Sequence, residues 1–297
     1  MINKHCAICG NKERIKELYI SSLGNNVVSG RTFSARRTPD HIHYRFVKCL
    51  KCGLIFSNPI FEQDKISSFY FKSGFHYAPE SKYLKKTYGR LLERLLGSKK
   101  KKLRLLDIGC GNGFFLEEAI EKGIEDVWGV EPGKASAKKA KRYLQKRIKV
   151  DILKPRLFKL KSFDVITCFH TLDHVTDPNN FLKITHSLLK NGGKIIFVVH
   201  DTRGLSVRLF GEKSPIFDIE HIYLFNTDTL SSIFKKNGYV VESVFNLKNT
   251  YPLFYWLRMT PLPDFIKRNL IKLLNYTNLG KLPFSLSAGN IGIIAKK

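Results

Sequence analysis

The chain has 297 residues, 43% of them hydrophobic and 12% aromatic, a composition that buries a core and excludes an intrinsically disordered protein. Its N-terminus, Met1-Ile2-Asn3-Lys4-His5-Cys6, lacks the apolar core of a signal peptide, and no uninterrupted apolar segment is long enough to span a bilayer, so the sequence reads as cytoplasmic. The net charge of +26 admits RNA, DNA or an anionic membrane as partners, yet lysine outnumbers arginine 36 to 15, and a lysine-dominated excess fits a solvated surface at least as well as a phosphate-reading groove.

Two cysteine pairs open the chain. Cys6-x-x-Cys9 and Cys49-x-x-Cys52 are each followed by a glycine, Gly10 and Gly53, whose tight turn aims two sulfurs at one point. In a cytosolic chain this pattern points to a tetrahedral thiolate site for structural Zn2+, two redox pairs being the alternative. Residues 1–60 then form a zinc ribbon, with Phe46–Cys49 and Leu54–Phe56 as its strands, too small to hold together without the metal. Residues 61–102 read as a helical linker with aromatics Phe69, Tyr70, Phe71, Phe75, Tyr77, Tyr83 and Tyr88. Its helix, bearing Leu91, Leu92, Leu95 and Leu96, stops at Gly97, and the basic run Lys99 to Lys102 follows.

From 103 to 297 strands alternate with helices, as a doubly wound, mostly parallel α/β sheet requires. Leu103, Leu105 and Leu106 make a buried strand that passes through Asp107-Ile108-Gly109-Cys110-Gly111-Asn112-Gly113 into a helix whose face is Phe115, Leu116, Ala119 and Ile120. The glycines let backbone approach a ligand closely. A second strand, Asp126–Val130, ends in Glu131, where nucleotide-binding αβ units carry a ribose-binding acid, about 20 residues beyond the glycines. The basic stretch Lys134 to Lys149 reads as a wet helix face. A third strand, Ile148–Val150, leads to Asp151; a fourth runs Phe163–Phe169; and a fifth, Lys194–Val199, follows the turn Asn191-Gly192-Gly193. Ligands of such sheets lie beyond the carboxyl ends of the strands, where Asp107, Glu131, Asp151, Phe169, His170 and His200 fall. A helix over 226–238, a strand over 239–245 and a last strand over 290–295 complete the domain. The insertion 247–288 carries Tyr251 to Arg258 and an amphipathic helix with Ile266, Leu270, Leu273 and Leu274 opposite Lys267, Arg268 and Lys272. It fits either a lid or, through 251–275, a peripheral membrane contact at the inner face.

The spacing Asp-x-Gly-x-Gly-x-Gly from Asp107 to Gly113 lacks the Gly-Lys-Ser/Thr of a P-loop and departs from the dinucleotide fingerprint G-x-G-x-x-G. It resembles motif I of class I S-adenosylmethionine-dependent methyltransferases. The resemblance implies a Rossmann-like, seven-stranded fold with an antiparallel edge formed by the last strand. It also implies a helix of 61–102 covering the cofactor pocket, although those aromatics equally suit packing of the ribbon onto the core. By the same resemblance Gly109, Gly111 and Gly113 pass near the donor, Asp107 lies near its methionine amine, Glu131 binds the ribose hydroxyls, and Asp151 accepts from the adenine amino group. Phe169-His170-Thr171-Leu172-Asp173-His174 resembles the segment after strand four of ubiquinone-type small-molecule methyltransferases, which carry Glu-His where this chain has Asp173-His174. Lys48 to Pro59 resembles the ribbon preceding many bacterial methyltransferases of surface-glycan and deoxysugar pathways. Phe217 to Phe225 resembles the Glu-His segment of their C-methylating members, with Glu220 and His221 as the pair and Asp218 where those enzymes have tyrosine.

The resemblance thus implies transfer of a methyl group from S-adenosylmethionine to a small-molecule or glycolipid acceptor, a sugar of surface-polysaccharide biosynthesis in particular. His221, Glu220, His174 and His170 are the candidate catalytic groups, histidine being the natural base near neutral pH. An RNA methyltransferase using the basic surface is the alternative among enzymes. Base N-methylation is disfavoured, because Asp177-Pro178 is followed by Asn179-Asn180 rather than by Pro and an aromatic. A non-catalytic binding protein that keeps the fold is the alternative outside enzymes.

Overall fold

A computed structural model describes residues 1–24, 28–30, 32–33, 40–74, 81–97 and 102–297. Phe75, Tyr77 and Lys99 to Lys101, named above, lie outside the described residues. The chain begins with three short antiparallel strands, β1 (Ile15–Tyr19), β2 (Phe46–Cys49) and β3 (Ile55–Ser57), and two helices, α1 (Gln63–Phe71) and α2 (Ser81–Leu96). In α2 the buried Leu84, Tyr88, Leu91 and Leu92 recur at helical spacing, and Gly97 at φ 56° ends it.

Alternation then sets in: β4 (Arg104–Ile108), α3 (Phe114–Glu121), β5 (Asp126–Val130), the short helices α4 (Lys134–Lys138) and α5 (Arg142–Gln145), β6 (Ile148–Lys149) and β7 (Phe163–Phe169). The lysines of α4 and its surroundings, among them Lys138, Lys139, Lys141 and Lys146, are exposed, the expected wet face. Next come α6 (Pro178–Leu188), β8 (Leu189–His200), α7 (Leu205–Phe210), β9 (Tyr223–Leu224), α8 (Thr227–Lys236) and β10 (Val240–Asn246). Helix α8 starts on a capping box in which Asn226 Oδ1 accepts from the Thr229 amide and Thr229 Oγ1 from the Asn226 amide. The insertion contributes β11 (Asn249–Pro252), α9 (Leu253–Arg258), α10 (Asp264–Tyr276) and β12 (Pro283–Leu286) before β13 (Asn290–Lys296) closes the chain.

Seven strands form one sheet in the order β10-β13-β8-β7-β4-β5-β6, all parallel except β13, which is antiparallel to both neighbours. The last strand is therefore one place in from the edge, with β10 outside it. The fifth strand starts at Leu189 rather than Lys194: Leu189 pairs with Phe163, and the register then shifts so that the next pair is Lys194 with Val165. Both faces of the sheet are buried. Along β8, Ile195, Phe197 and Val199 join α6 and α8 in one core, while Ile196 and Val198 join α2 and α3 in another.

The ribbon strands share the first of those cores, to which Cys6, Tyr44, Phe56 and Ile60 belong. Strand β9 pairs with β3, Ile55 opposite Leu224 and Phe56 opposite Tyr223, so the ribbon sheet has four strands. That pairing joins the N-terminal ribbon to the segment bearing Glu220 and His221.

Candidate functional site

Beyond the carboxyl ends of β4, β5 and β7 lies a cavity of about 1120 Å³, onto which Asp107, Gly109, Glu131, Asp151, Phe169, His170, His174, Glu220 and His221 all open. The Gly109 and Cys110 amides donate to Val130 O at 2.8 and 3.1 Å, folding the loop back over β5. Gly109 has φ +76°, and a Cβ there would stand 2.1 Å from Thr171 Oγ1. Gly113, at φ +75°, is the residue from which α3 springs. Gly111 enters through its amide, which donates to Glu131 Oε2 at 2.9 Å, while the Gly133 amide donates to Oε1 at 2.8 Å. Both carboxylate oxygens are thereby fixed, each keeping capacity for a further donor. Burial raises the Glu131 pKa despite these two amides.

Asp107 is 3% exposed and accepts from Thr167 Oγ1 at 2.8 Å. Burial pushes its carboxyl up to about 8; the Thr167 hydrogen bond opposes this and the nearby Glu131 charge adds to it. Two carboxyls, the buried Asp107 and the half-buried Glu131, thus face one space. Asp151 sits just past β6, its Oδ1 taking the Ile152 amide at 2.8 Å and its Oδ2 paired with Lys154 at 2.5 Å. Phe169 stacks on Tyr88 of α2 with ring centroids 3.9 Å apart, so that α2 covers this end of the cavity.

The other end is made of imidazoles. Asp173, completely buried, lies 2.7 Å through Oδ2 from His200 Nδ1 and 3.7 Å through Oδ1 from His174 Nε2. The rings of His170 and His200, His200 and His221, and His174 and His221 have centroids 4.7, 4.5 and 4.8 Å apart. Tyr70 OH stands 2.9 Å from His174 Nδ1, and Glu220 Oε1 is 4.0 Å from the same nitrogen. Burial above all raises the Tyr70 pKa well beyond its usual value, so the phenol keeps its proton beside His174 Nδ1. Burial would also raise Asp173, but the His200 hydrogen bond and the neighbouring imidazoles outweigh it and hold the carboxyl ionised. Burial lowers His174, and burial together with the neighbouring histidines lowers His221 far more. His170 adopts φ +54°, an uncommon conformation for a residue with a side chain.

Three further groups stand in or beside the cavity. Asp173 and His200 were visible only as a substituted motif position and a strand tip. Asn249, 3% exposed, faces the cavity with an Oδ1 that has no hydrogen-bond partner among the described residues. Only the fold brings His200, from the end of β8, against Asp173. Leu253, Tyr255, Trp256 and Leu257 of α9 and Leu270, Leu273 and Leu274 of α10 complete an apolar wall.

Away from the cavity, the four ribbon cysteines converge. Cys6 and Cys52 sulfurs stand 3.2 Å apart, Cys9 and Cys49 3.6 Å, and Cys9 and Cys52 3.8 Å, with all four thiols free of disulfides. The edge of a tetrahedron with ligands at about 2.3 Å is about 3.8 Å, so the set has the size of a zinc thiolate site.

Among known proteins, the family model described as a methyltransferase domain matches residues 81–244, more than half the chain. A stretch of 100 residues is 34% identical to the ubiquinone biosynthesis O-methyltransferase of Bordetella avium, 32% of this chain and 41% of that protein. Another of 127 residues is 28% identical to the tRNA U34 carboxymethyltransferase of Idiomarina loihiensis, 37% of each. The match thus spans less than half the length of these curated relatives. A crystal structure from Bacillus halodurans, described as that of a candidate methyltransferase, shares the fold with a TM-score of 0.51 and 15% identity over 70% of this chain and 98% of that one.

Proposed function

The chain belongs to the methyltransferase-domain family, and from that premise we propose that it is an S-adenosylmethionine-dependent methyltransferase acting on a hydroxyl of a lipid-linked acceptor, a sugar of surface-polysaccharide biosynthesis. The observation that carries this reading is the two-sided cavity, in which imidazoles and carboxylates at one end continue into the apolar wall of α9 and α10. Hydroxyl-rich groups find hydrogen-bond acceptors at the first, and an alkyl tail finds a dry surface at the second. Helix α10 exposes Phe265, Leu273 and Tyr276 beside Arg268 and Lys272, which suits a lid resting against an anionic membrane surface at the inner face. No helix among the described residues is long and apolar enough to cross a membrane.

The donor-end residues fit the cofactor: Gly109 leaves no room for a Cβ, and Glu131 offers two oriented oxygens. When bound, S-adenosylmethionine supplies a methyl group activated on a sulfonium. Glu131 would hold its ribose hydroxyls, Asp107 its ammonium, Asp151 its adenine amino group, and Phe169 with Tyr88 an apolar wall. At the opposite end His221, beside Glu220 and ringed by His174 and His200, takes the hydroxyl proton, and closure under α9 and α10 keeps water out. The four ribbon sulfurs are read as a structural Zn2+ site on the strength of their spacing.

Calorimetry with S-adenosylmethionine tests the donor end. Glu131→Ala should weaken binding roughly 10- to 100-fold, because hydrogen bonds to a charged group contribute about 1.5–3 kcal/mol. No binding by the parent protein would leave the scaffold reading. Transfer of labelled methyl is then compared on lipid-linked saccharide, a ubiquinone-precursor phenol and tRNA. Label in the saccharide is the expected result. Label in tRNA with a steep salt dependence would replace it with RNA methylation, and label in the phenol would replace the sugar with an aromatic hydroxyl.

A further inference from the structure

One carboxylate at the acceptor end is surrounded by more imidazoles than a catalytic base and its partner need. Asp173 is completely buried, and its Oδ1 has no hydrogen-bond partner among the described residues. Ligand atoms of His170, Asp173 and His200 all lie within 4.8 Å of one another, and those of Asp173, His174 and His221 form a second such group that shares the carboxylate. Buried His221 likewise has an Nδ1 without a hydrogen-bond partner among the described residues. A proton satisfies only one pair, and the 2.7 Å contact between Asp173 Oδ2 and His200 Nδ1 uses it. The imidazole ring centroids stand only 4.5 to 4.8 Å apart across the cluster. The carboxylate thus carries one negative charge among several imidazole nitrogens, and a divalent cation answers it together with two of the imidazoles.

We propose that His170, Asp173 and His200 bind a divalent transition-metal ion, such as Mn2+, Fe2+ or Zn2+, as a two-histidine, one-carboxylate triad at the acceptor end of the cavity. Ligands at about 2.1 Å and at right angles stand about 3 Å apart, so the 2.7 Å between Asp173 Oδ2 and His200 Nδ1 needs to open by only a few tenths of an ångström. The donor set is the mixed imidazole and carboxylate type that borderline ions favour and that leaves coordination positions open. The open positions point the ion at the cavity, which His170 and His200 line, where it holds the oxygen of the acceptor. The left-handed backbone of His170, φ +54°, is the conformation that brings its ring against His200. Only the ion's role toward the acceptor rests on the methyl-transfer reading; its binding does not.

The probe is Mn2+ itself, which the thiolate ribbon does not favour. The full-length protein is titrated with Mn2+, and the loss of the free-ion electron paramagnetic resonance signal is followed. One ion per chain is the expected uptake, weakened more than about 100-fold in Asp173→Asn and in His200→Ala, beyond the 10- to 100-fold that loss of an outer-shell partner brings. Calorimetry with S-adenosylmethionine on the same variants should find the donor affinity kept, which shows that they are folded. No uptake by the parent protein, or equal uptake by both variants, overturns the proposal. Loss of donor binding by the parent would instead indict the methyltransferase reading, so the two failures are separable.

Discussion

At the donor end of the cavity the glycines and both inner carboxylates come from one stretch, residues 107–133, with Asp151, Phe169 and Tyr88 added from elsewhere, and much of the contact surface is backbone, whereas at the acceptor end the working groups come from the ends of β7 and β8 and the segment before β9, and are all side chains. A backbone cradle needs glycines at fixed spacing and one carboxylate, which chain order can encode. A cluster of imidazoles around a carboxylate needs three remote segments held in register, which only the packed sheet and the ribbon can supply. The difference teaches where each end is vulnerable: the first to a single added carbon, the second to loss of a chemical group or of its support.

The largest effect is expected from removing chemistry at the acceptor end. His221→Ala should lower methyl transfer about 10²- to 10⁴-fold, the range for loss of a positioned acid-base group, while donor affinity measured by calorimetry stays within about twofold. A parallel loss of donor affinity would erase the distinction between the ends.

Gly109→Ala breaks the distinction from the other side. The new Cβ would stand 2.1 Å from Thr171 Oγ1, at a φ of +76° that disfavours any side chain, and Thr171 begins the segment that carries Asp173 and His174. The expected cost is about 2–5 kcal/mol, a left-handed backbone penalty plus overpacking, read as a lowered denaturation midpoint with loss of donor binding. Gly111→Ala, with its amide still able to reach Glu131, should cost less.

Asp107 sharpens the comparison through pH. Its carboxyl titrates near 3.8 when unfolded and at about 8 when folded, chiefly because it is buried. Between those values folding takes up a proton, so stability falls as pH rises through the window and levels off above it. Denaturant midpoints from pH 5 to pH 9 should follow this slope, and Asp107→Asn should remove most of it. A shallower slope of the same sign should remain from Glu131, whose pKa is also raised. A variant as pH-sensitive as the parent would show that the slope arises elsewhere.

The sheet, the glycine loop and Glu131 were legible in the sequence because each is a local pattern: an apolar run, a glycine spacing, an acid at a strand end. Residues His170, His174 and His221 were legible singly, at strand ends and in loops. Their convergence on Asp173, and the part of His200 in it, was not, because β4, β7 and β8 must first align side by side. Strand β9 escaped the reading for the same reason, since Tyr223-Leu224 is too short to signal a strand and pairs with residues far back in the chain. In the insertion the amphipathic face of α10 was plain, while the hairpin of β11 and β12 was hidden by Pro252 and Pro283, residues that normally mark the end of a strand.

The smallest predicted effect tests how the ribbon supports the acceptor end alone. Ser57, completely buried, donates through its Oγ to His221 O at 2.9 Å and through its amide to Ile222 O at 2.8 Å, and the Ile222 amide donates in turn to Asp173 O at 2.8 Å. The peptide on either side of the imidazole cluster is thus held by β3. Ser57→Ala deletes the first of these bonds and leaves the others, at a cost of about 1 kcal/mol. If β3 positions His221, the variant should lose methyl-transfer rate several-fold with its donor affinity unchanged, and Ser57→Cys, which keeps a weak donor, should recover part of it. An unchanged rate with a lowered midpoint would make the bond purely structural. Equal losses of rate and donor affinity would mean that the ribbon steadies the whole sheet, and the two ends of the cavity would no longer be separately supported.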